Sequence, residues 1–368
     1  MTEKSKAPYT FGETARGTLT AFFPVDVVVA MAPNIPAQRE ISCKGLFTPA
    51  REHKMHIMAT QSSPTTHEVT VELPVPCDVH WIVFHLRSSS FGAVYSFDAD
   101  DRLSRVQWLA GVPCFVETST SRSPGRLSVR ATAPSFPPGL NVEDELSRQL
   151  RFMWGLDDDL AGFSSCFAAD SVLGPLVSRF YGLRLPKAPS LYECLLVAVV
   201  GQQVSVAAAQ SIRRKMIERF GAEVEAGGVL RRGYPSAGQL LDAGEDGLRQ
   251  AGVSRQKCRY LKEIARRAAS GEFCPGRFQS LDDESARALL MEIPGIGRWT
   301  AEIALMRGLG RLDVFPAGDL GLASALRQQL ALTARPSEPE IRSLAERWRP
   351  YRSYAAFYLW MTLAKGAL

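Results

Sequence analysis

A glycine-containing turn near the C-terminus holds the residues best suited to binding an anion. Pro294, Gly295 and Gly297 separate two apolar segments of helical periodicity, in the order Pro-Gly-Ile-Gly. Glycine permits positive φ angles and lets the backbone come close to a partner. The amides of such a turn, and those of a helix that starts near Arg298, have no intrahelical acceptor and can bind a phosphate. The same pattern also fits an ordinary corner between two helices, so the turn alone leaves both interpretations open.

The composition is that of a globular protein with a mild positive charge. The 368 residues can form two or three domains, and the hydrophobic content of 46% argues against disorder. The longest purely apolar run, residues 194–200, is too short to cross a bilayer, so we expect no membrane segment. We also expect no signal peptide. The net charge of +5 permits contact with a polyanion but does not require it.

The placement of cysteine and histidine argues against bound metal. The seven cysteines are odd in number and scattered, which argues against a disulfide framework and fits a reducing compartment. All five histidines lie between His53 and His85, and no His-Glu-x-x-His or paired-cysteine motif completes a metal site. We therefore expect no metal and no cofactor, and a C-terminal part that performs any chemistry without histidine.

The periodicity of the hydrophobic residues changes near residue 135. Residues 1–16 are polar and predict a flexible tail. Residues 17–135 predict a β-rich domain with an antiparallel sheet and one or two helices, of which Leu103–Leu109 is a candidate. The candidate strands are Val25–Ala30, Met55–Ala59, Glu68–Leu73, Trp81–Leu86, Cys114–Thr118 and Leu127–Ala131. Short segments of helical periodicity then predict an all-α domain, or two helical halves facing each other, over residues 136–368. The predicted fold class is α+β.

Three ordered blocks in the C-terminal part carry a resemblance to one protein family. They are Val199–Ala209, Ile293–Ala301 with Val314–Asp319, and Glu346–Trp360. Through them, roughly residues 140–368 resemble the helix–hairpin–helix (HhH-GPD) DNA glycosylase superfamily, and most closely its AlkA-type 3-methyladenine DNA glycosylase II group. The resemblance implies that residues 136–368 form the HhH-GPD catalytic domain. Residues 17–135 contain no matching motif and are only compatible with the family's N-terminal sheet.

The resemblance implies an essential aspartate at Asp319, nineteen residues after Thr300. Cleavage of an N-glycosidic bond builds positive charge on the deoxyribose, and a fixed carboxylate stabilises that charge and can orient or deprotonate water. Asp319 also precedes an apolar helical segment, so it can serve as an N-cap as well. Trp299 stands where bifunctional members of the family carry a lysine. Because tryptophan cannot form a Schiff base, the resemblance implies a monofunctional enzyme.

The resemblance also assigns a base pocket and a DNA-binding surface. Trp299 and Trp360 match aromatic pocket positions, where an indole can stack on a flipped base and attract a cationic one. Core packing is the alternative for Trp360. Ile303 stands where the family often has a tyrosine, which leaves the shape of the pocket open. Gln203 matches the wedge that fills the gap left by a flipped base. The other expected DNA-binding residues are Pro294, Gly295, Ile296, Gly297, Arg298 and Thr300.

We therefore expect a monofunctional DNA glycosylase of base excision repair that flips damaged, above all alkylated, purines out of duplex DNA and excises them. Its expected partner is double-stranded DNA containing damaged bases, and we expect a monomer in the bacterial cytoplasm or nucleoid, or in a nucleus. Two alternatives remain open: a glycosylase for a neutral lesion such as 8-oxoguanine, ethenoadenine or hypoxanthine, and a non-catalytic DNA-binding module. Asp319 discriminates against the second alternative, because phosphates repel a carboxylate that has no catalytic role.

Overall fold

The computed structural model describes residues 64–98, 102–120 and 125–364. The expected flexible tail and two expected strands, Val25–Ala30 and Met55–Ala59, lie outside the described residues. Within the described ranges a mostly antiparallel sheet is followed by a helical region, which confirms the predicted α+β fold class. The predicted division of the chain at residue 136 stays a prediction.

Seven strands in the described part of the chain form one sheet. They are β1 (Thr65–Glu72), β2 (Ser96–Phe97), β3 (Leu103–Leu109), β4 (Val112–Thr120), β5 (Arg126–Ala133), β6 (Ala222–Ala226) and β7 (Val229–Gly233). The order is β1-β5-β4-β3-β7-β6, and β2 pairs with β3. Paired strands are antiparallel except β3 and β7, which are parallel and meet at Val106 and Gly233.

The segment Trp81–Leu86, which we expected as a strand, belongs to helix α1 (Val79–Ser88). The side chain of Asp78 caps this helix by accepting a hydrogen bond from the amide two residues later. Ile82 packs in the core under the sheet, whereas Trp81 packs against a core formed by helices. Because both faces of α1 are covered, apolar side chains occur all around it and the helical periodicity disappears from the sequence.

The segment Leu103–Leu109, which we expected as a helix, is strand β3. Its apolar residues at 103, 106 and 109 have a helix-like spacing of three. The segment nevertheless pairs with β4 along its whole length. Arg105 and Gln107, on the same face as Leu103 and Leu109, are buried as well, and Val106 is buried on the opposite face. The alternation of buried and exposed residues expected of a half-exposed strand is therefore absent.

The helices of the C-terminal region pack as two halves. Helix α2 (Val142–Met153) packs with the sheet. The first half contains α3 (Leu160–Phe167), α4 (Leu173–Arg179), α13 (Leu320–Gln329), α14 (Glu338–Ala345) and α15 (Arg352–Met361). The second half contains α5 (Leu191–Gly201), α6 (Val206–Phe220), α7 (Ala237–Asp242), α8 (Gly244–Gln250), α9 (Arg255–Ala269), α10 (Pro275–Gln279), α11 (Asp283–Met291) and α12 (Arg298–Ile303). A π-helical turn, Ala304–Gly308, continues α12.

The hairpin formed by β6 and β7 is an element that the sequence reasoning missed. It lies between α6 and α7 and extends the sheet from within the helical region. Gly227 and Gly228 form its turn with φ angles of 60° and 73°. Two adjacent glycines between short alternating segments are a recognised hairpin pattern, so this hairpin could have been predicted from the sequence.

Two further features concern membranes and thiols. Among the described helices none is long and apolar enough to cross a membrane. The cysteines at 77, 114, 166, 194 and 258 are free thiols, whereas Cys274 is disulfide-bonded. The bond at Cys274 departs from the expectation of reduced cysteines.

A buried ion pair joins the sheet to the second helical half. Two oxygens of Glu193 in α5 accept hydrogen bonds from Nη2 of Arg105 in β3 at 2.8 and 2.7 Å. The side chains are only 4% and 8% exposed. Burial opposes the charge of Arg105, yet the neighbouring Glu193 carboxylate raises its pKa above the ordinary value. Each of the two buried charges therefore needs the other as its counter-charge.

We predict that Glu193→Gln lowers the free energy of unfolding by about 3 kcal/mol, because it leaves a buried guanidinium without its counter-charge. Urea denaturation followed by circular dichroism measures this. Glu223→Gln is the matched control, since the Glu223–Arg232 pair is about half exposed and contributes little. Equal losses in the two variants would contradict the role given to the buried pair.

Candidate active site

Two tryptophan side chains, one from each helical half, meet at Asp319. Nε1 of Trp299, in α12, donates a hydrogen bond to Oδ2 of Asp319 at 2.9 Å. Nε1 of Trp360, in α15, donates to Oδ1 at 2.9 Å. Asp319 is also the N-cap of α13, because its Oδ1 accepts a hydrogen bond from the amide of Leu322 at 2.9 Å. The structure thus brings together the three residues that the sequence proposed for the catalytic site and the pocket.

The segment before Asp319 is anchored to the start of α15 by Ser353. The hydroxyl of Ser353 donates to the carbonyls of Arg311 and Val314 at 2.7 and 3.0 Å, and it accepts from the amide of Val314 at 3.1 Å. This side chain is fully buried. Because Trp360 lies two turns further along α15, the anchor fixes Asp319 and Trp360 relative to each other. No pattern in the sequence indicated this role for a serine.

A cavity of about 400 Å³ opens beside these residues; we call it the Asp319 cavity. Trp299, Asp319 and Trp360 line it, and so does Ile303, the residue that replaces the expected tyrosine. The two indole rings pack against a small apolar cluster at the junction of the helical halves, made of Ala188, Cys194, Ala198 and Ile303. Trp360 therefore combines core packing with exposure to the cavity, so the two roles that were considered for it coexist.

Two further polar residues line the Asp319 cavity, and sequence reasoning missed both. His85 comes from α1 and Arg307 from the π-helical turn after α12. They are 8% and 4% exposed. The expectation that the C-terminal part performs any chemistry without histidine stays a prediction, although α1 brings His85 into the cavity lining from the N-terminal region. Arg307 was detectable: it follows Trp299 and Ile303 at helical intervals of four residues.

The charge states of His85 and Arg307 follow from their contacts. Nη1 and Nη2 of Arg307 lie 3.3 and 3.4 Å from Nε2 of His85, and Nη1 also donates to the carbonyl of Pro186 at 3.2 Å. A guanidinium only donates, so Nε2 must accept and the imidazole is neutral. Burial and, after it, the charge of Arg307 place the pKa of His85 well below its ordinary value. Burial lowers the pKa of Arg307 to about 10, so it remains a cation at neutral pH.

The seven residues proposed for DNA binding lie together along a second cavity of about 560 Å³, here called the hairpin groove. They are Gln203, Pro294, Gly295, Ile296, Gly297, Arg298 and Thr300. Trp299 lines both this groove and the Asp319 cavity. The side chains of Ile296 and Thr300 are buried, so these two residues present mainly backbone to the groove.

The two glycines of the turn differ in what the fold requires of them. Gly295 has a φ of 86°, and a Cβ there would lie 2.2 Å from the ring of Tyr260. Gly297, the N-cap of α12, has a φ of −85°, and a Cβ there would meet nothing within 4 Å. Of the two glycines, only Gly295 thus adopts the positive φ that glycine permits. The fold does not require glycine at 297. Any advantage of glycine there must come from the close approach of a bound molecule to the groove.

Gln202 and Lys257 join the segment of Gln203 to the turn. Nε2 of Gln202 donates to the carbonyl of Gly295 and to Oγ1 of Thr300, both at 2.9 Å. Nζ of Lys257 donates to the carbonyls of Val200 and Gln202 at 2.9 and 2.7 Å. Next to them, the exposed Gln203 adopts a φ of 54°, which is uncommon for a residue other than glycine.

Among the described residues, no three His, Cys, Asp or Glu side chains are grouped so that they could hold a metal ion.

Comparison with known proteins gives consistent matches. The family model "HhH-GPD superfamily base excision DNA repair protein" matches residues 196–350. A DNA-3-methyladenine glycosylase of Bacillus subtilis is 28% identical over 81% of this chain and 99% of its own length. DNA-3-methyladenine glycosylase 1 of Schizosaccharomyces pombe is 32% identical over 51% of this chain and 78% of its own length. The solved structure of a 3-methyladenine DNA-glycosylase from Archaeoglobus fulgidus has a TM-score of 0.69 at 27% identity, covering 80% of this chain and 97% of that one.

The difference between the two glycines generates a prediction. Gly295→Ala should lower the free energy of unfolding by about 2 kcal/mol, because alanine is disfavoured at positive φ and its Cβ would overlap the ring of Tyr260. Gly297→Ala should leave the unfolding free energy close to that of the wild type. Thermal and urea unfolding of both variants measure this, and a comparable loss in Gly297→Ala would show that the fold itself requires this glycine.

Proposed function

Because this chain belongs to the HhH-GPD superfamily of base excision DNA repair proteins, we propose that it is a monofunctional DNA glycosylase acting on damaged, above all alkylated, purines in duplex DNA. One observation carries the proposal: a carboxylate is fixed by two indole N–H groups and a helix N-terminus at the edge of a cavity about 400 Å³ in size. Several relatives are named as 3-methyladenine glycosylases, which favours alkylated purines over a neutral lesion.

The proposed reaction is hydrolysis of the N-glycosidic bond. As that bond breaks, its electron pair leaves with the base and positive charge develops at the anomeric carbon. The Asp319 carboxylate stabilises this charge and orients the water that adds to the anomeric carbon and loses a proton. Trp299 and Trp360 donate to the carboxylate through their ring edges, so the rest of each indole remains to line the cavity for the flipped base.

We propose that duplex DNA binds along the hairpin groove. A Cβ at Gly297 would meet nothing within 4 Å, so a phosphate has room to approach the start of α12 and accept from its amides. Gln203 is exposed beside the turn and is well placed to fill the gap left by a flipped base. A non-catalytic DNA-binding module would gain nothing from a carboxylate held this rigidly near phosphates, so we do not favour that alternative.

The remaining expectations from the sequence stay proposals. They are the monomeric state, a location in the cytoplasm, nucleoid or nucleus, and the division into a β-rich domain at 17–135 and a helical domain at 136–368.

We predict that Asp319→Asn lowers the rate of base release at least about 100-fold, because the stabilising negative charge is lost. Binding to a duplex with an abasic site should change little, since docking depends on the hairpin groove. Single-turnover base release and fluorescence anisotropy measure the two quantities. Asp313→Asn is the matched control, because Asp313 precedes the same helix but pairs with Arg352 and does not line the cavity. A rate for Asp319→Asn within tenfold of the wild type would remove Asp319 from its role.

We also predict that the enzyme cuts DNA strands only after alkali or heat is added. Trp299 stands where a Schiff-base lysine would act, and an indole forms no such bond. Borohydride added during turnover should therefore trap no protein–DNA adduct, while a known bifunctional glycosylase treated in parallel should give one. A trapped adduct that survives denaturing electrophoresis would show that another amine attacks the sugar.

A further inference from the structure

The Asp319 cavity has a polar wall that the proposed hydrolysis does not use. His85 and Arg307 line the same cavity as Trp299, Asp319 and Trp360. The guanidinium carbon of Arg307 lies 5.8 Å from the centre of the Trp360 ring, whose N–H holds Asp319. A base that enters beside this indole therefore comes within the field of a buried cation.

This wall offers hydrogen-bond donors. Every polar atom of the Arg307 side chain is a hydrogen-bond donor by type and none is an acceptor. Because Nε2 of His85 accepts from Arg307, the proton of the neutral ring lies on Nδ1, which is a donor as well. Arg213, a second buried cation, also lines the cavity, and Asp319 is the acidic group among its lining residues. Burial strengthens interactions with these charges, since little water screens them.

The hydrogen bonds that a purine can form with these donors depend on its substituent at position 6. The carbonyl oxygen of a guanine-type base accepts hydrogen bonds, whereas the amino group of an adenine-type base presents donors to donors. As the glycosidic bond breaks, its electrons spread into the base and make the 6-carbonyl oxygen more negative. A donor at that oxygen therefore stabilises the transition state more than the ground state, which is the condition for accelerating the reaction.

We propose that His85 and Arg307 determine specificity by selecting 6-oxopurines, such as 7-methylguanine, over 6-aminopurines, such as 3-methyladenine. The inference rests on the function proposed above and names the substrate class of the same site. Arg307 lies within the segment matched by the family model, residues 196–350, but His85 does not. The selectivity is thus a property of the two parts of this chain together.

The test is a competition within one substrate. Duplex DNA treated with dimethyl sulfate carries both 7-methylguanine and 3-methyladenine, and chromatography of the released bases gives the ratio of their initial rates. In His85→Phe, which keeps the ring that packs edge-on against Phe357, the ratio of 7-methylguanine to 3-methyladenine should fall about tenfold. In Arg307→Met it should fall at least as much. If Arg307→Met does not fold, the ratio for His85→Phe decides.

Arg184→Met is the matched control. Arg184 is also a buried arginine that donates to backbone carbonyls, including that of Pro76, but it lies outside the lining of the cavity. This variant should lose stability and keep the wild-type ratio. A second measurement needs no variant: free 7-methylguanine should inhibit the wild-type enzyme at a lower concentration than free 3-methyladenine.

The outcomes separate the inference from the function on which it rests. If the wild type releases neither methylated base, the proposed function fails and the inference fails with it. If the wild type releases both bases but folded His85→Phe and Arg307→Met keep its ratio, only the inference is overturned. Equal inhibition by the two free bases, or a shift of the ratio in Arg184→Met, would also overturn it.

Discussion

The site depends on one interaction: a single carboxylate accepts hydrogen bonds from two tryptophans that belong to different halves of the helical region. Trp299 arrives from α12 of the second half and Trp360 from α15 of the first, and Asp319 itself begins α13. A hydrogen bond to a charged acceptor contributes about 1.5–3 kcal/mol, so two such bonds hold the halves in register where they meet. The cavity exists because these elements are fixed around Asp319 and cannot slide to fill it.

This arrangement gives each indole two tasks that only tryptophan combines. The N–H at the edge of the ring orients the carboxylate, and the remaining ring surface lines the cavity. Phenylalanine would keep the surface and lose the donor. Tyrosine would move its donor to the far end of the ring. The requirement is therefore stricter than aromatic character, and it explains why both positions carry the same residue.

The sequence predicted the parts of this site that are compact motifs and missed those that depend on distant packing. The family resemblance carried by three compact sequence blocks anticipated the three residues that meet, Trp299, Asp319 and Trp360. His85 lies 222 residues from its partner Arg307 and on a helix that resembled a strand, since both faces of α1 are buried. No local pattern in the sequence shows that the second face of α1 is also buried. Leu103–Leu109 was mistaken for a similar reason, because Arg105 and Gln107 are buried beside Leu103 and Leu109 on one face while Val106 is buried on the other.

A single helical segment lines both the hairpin groove and the Asp319 cavity. The start of α12, at Gly297 and Arg298, faces the hairpin groove, and Trp299 stands in the wall between that groove and the Asp319 cavity. Along the same segment, Ile303 and Arg307 continue down the side of the cavity. Gln202 bonds to the turn at Gly295 and so holds the neighbouring Gln203 at a fixed place beside it. Under the proposed function, a nucleotide whose phosphate binds at the start of α12 would place its base towards the Asp319 cavity on the other side of Trp299. Gly295 makes this turn sterically possible and the bond from Gln202 ties it to the segment of Gln203, so the wall between the groove and the cavity has a fixed position.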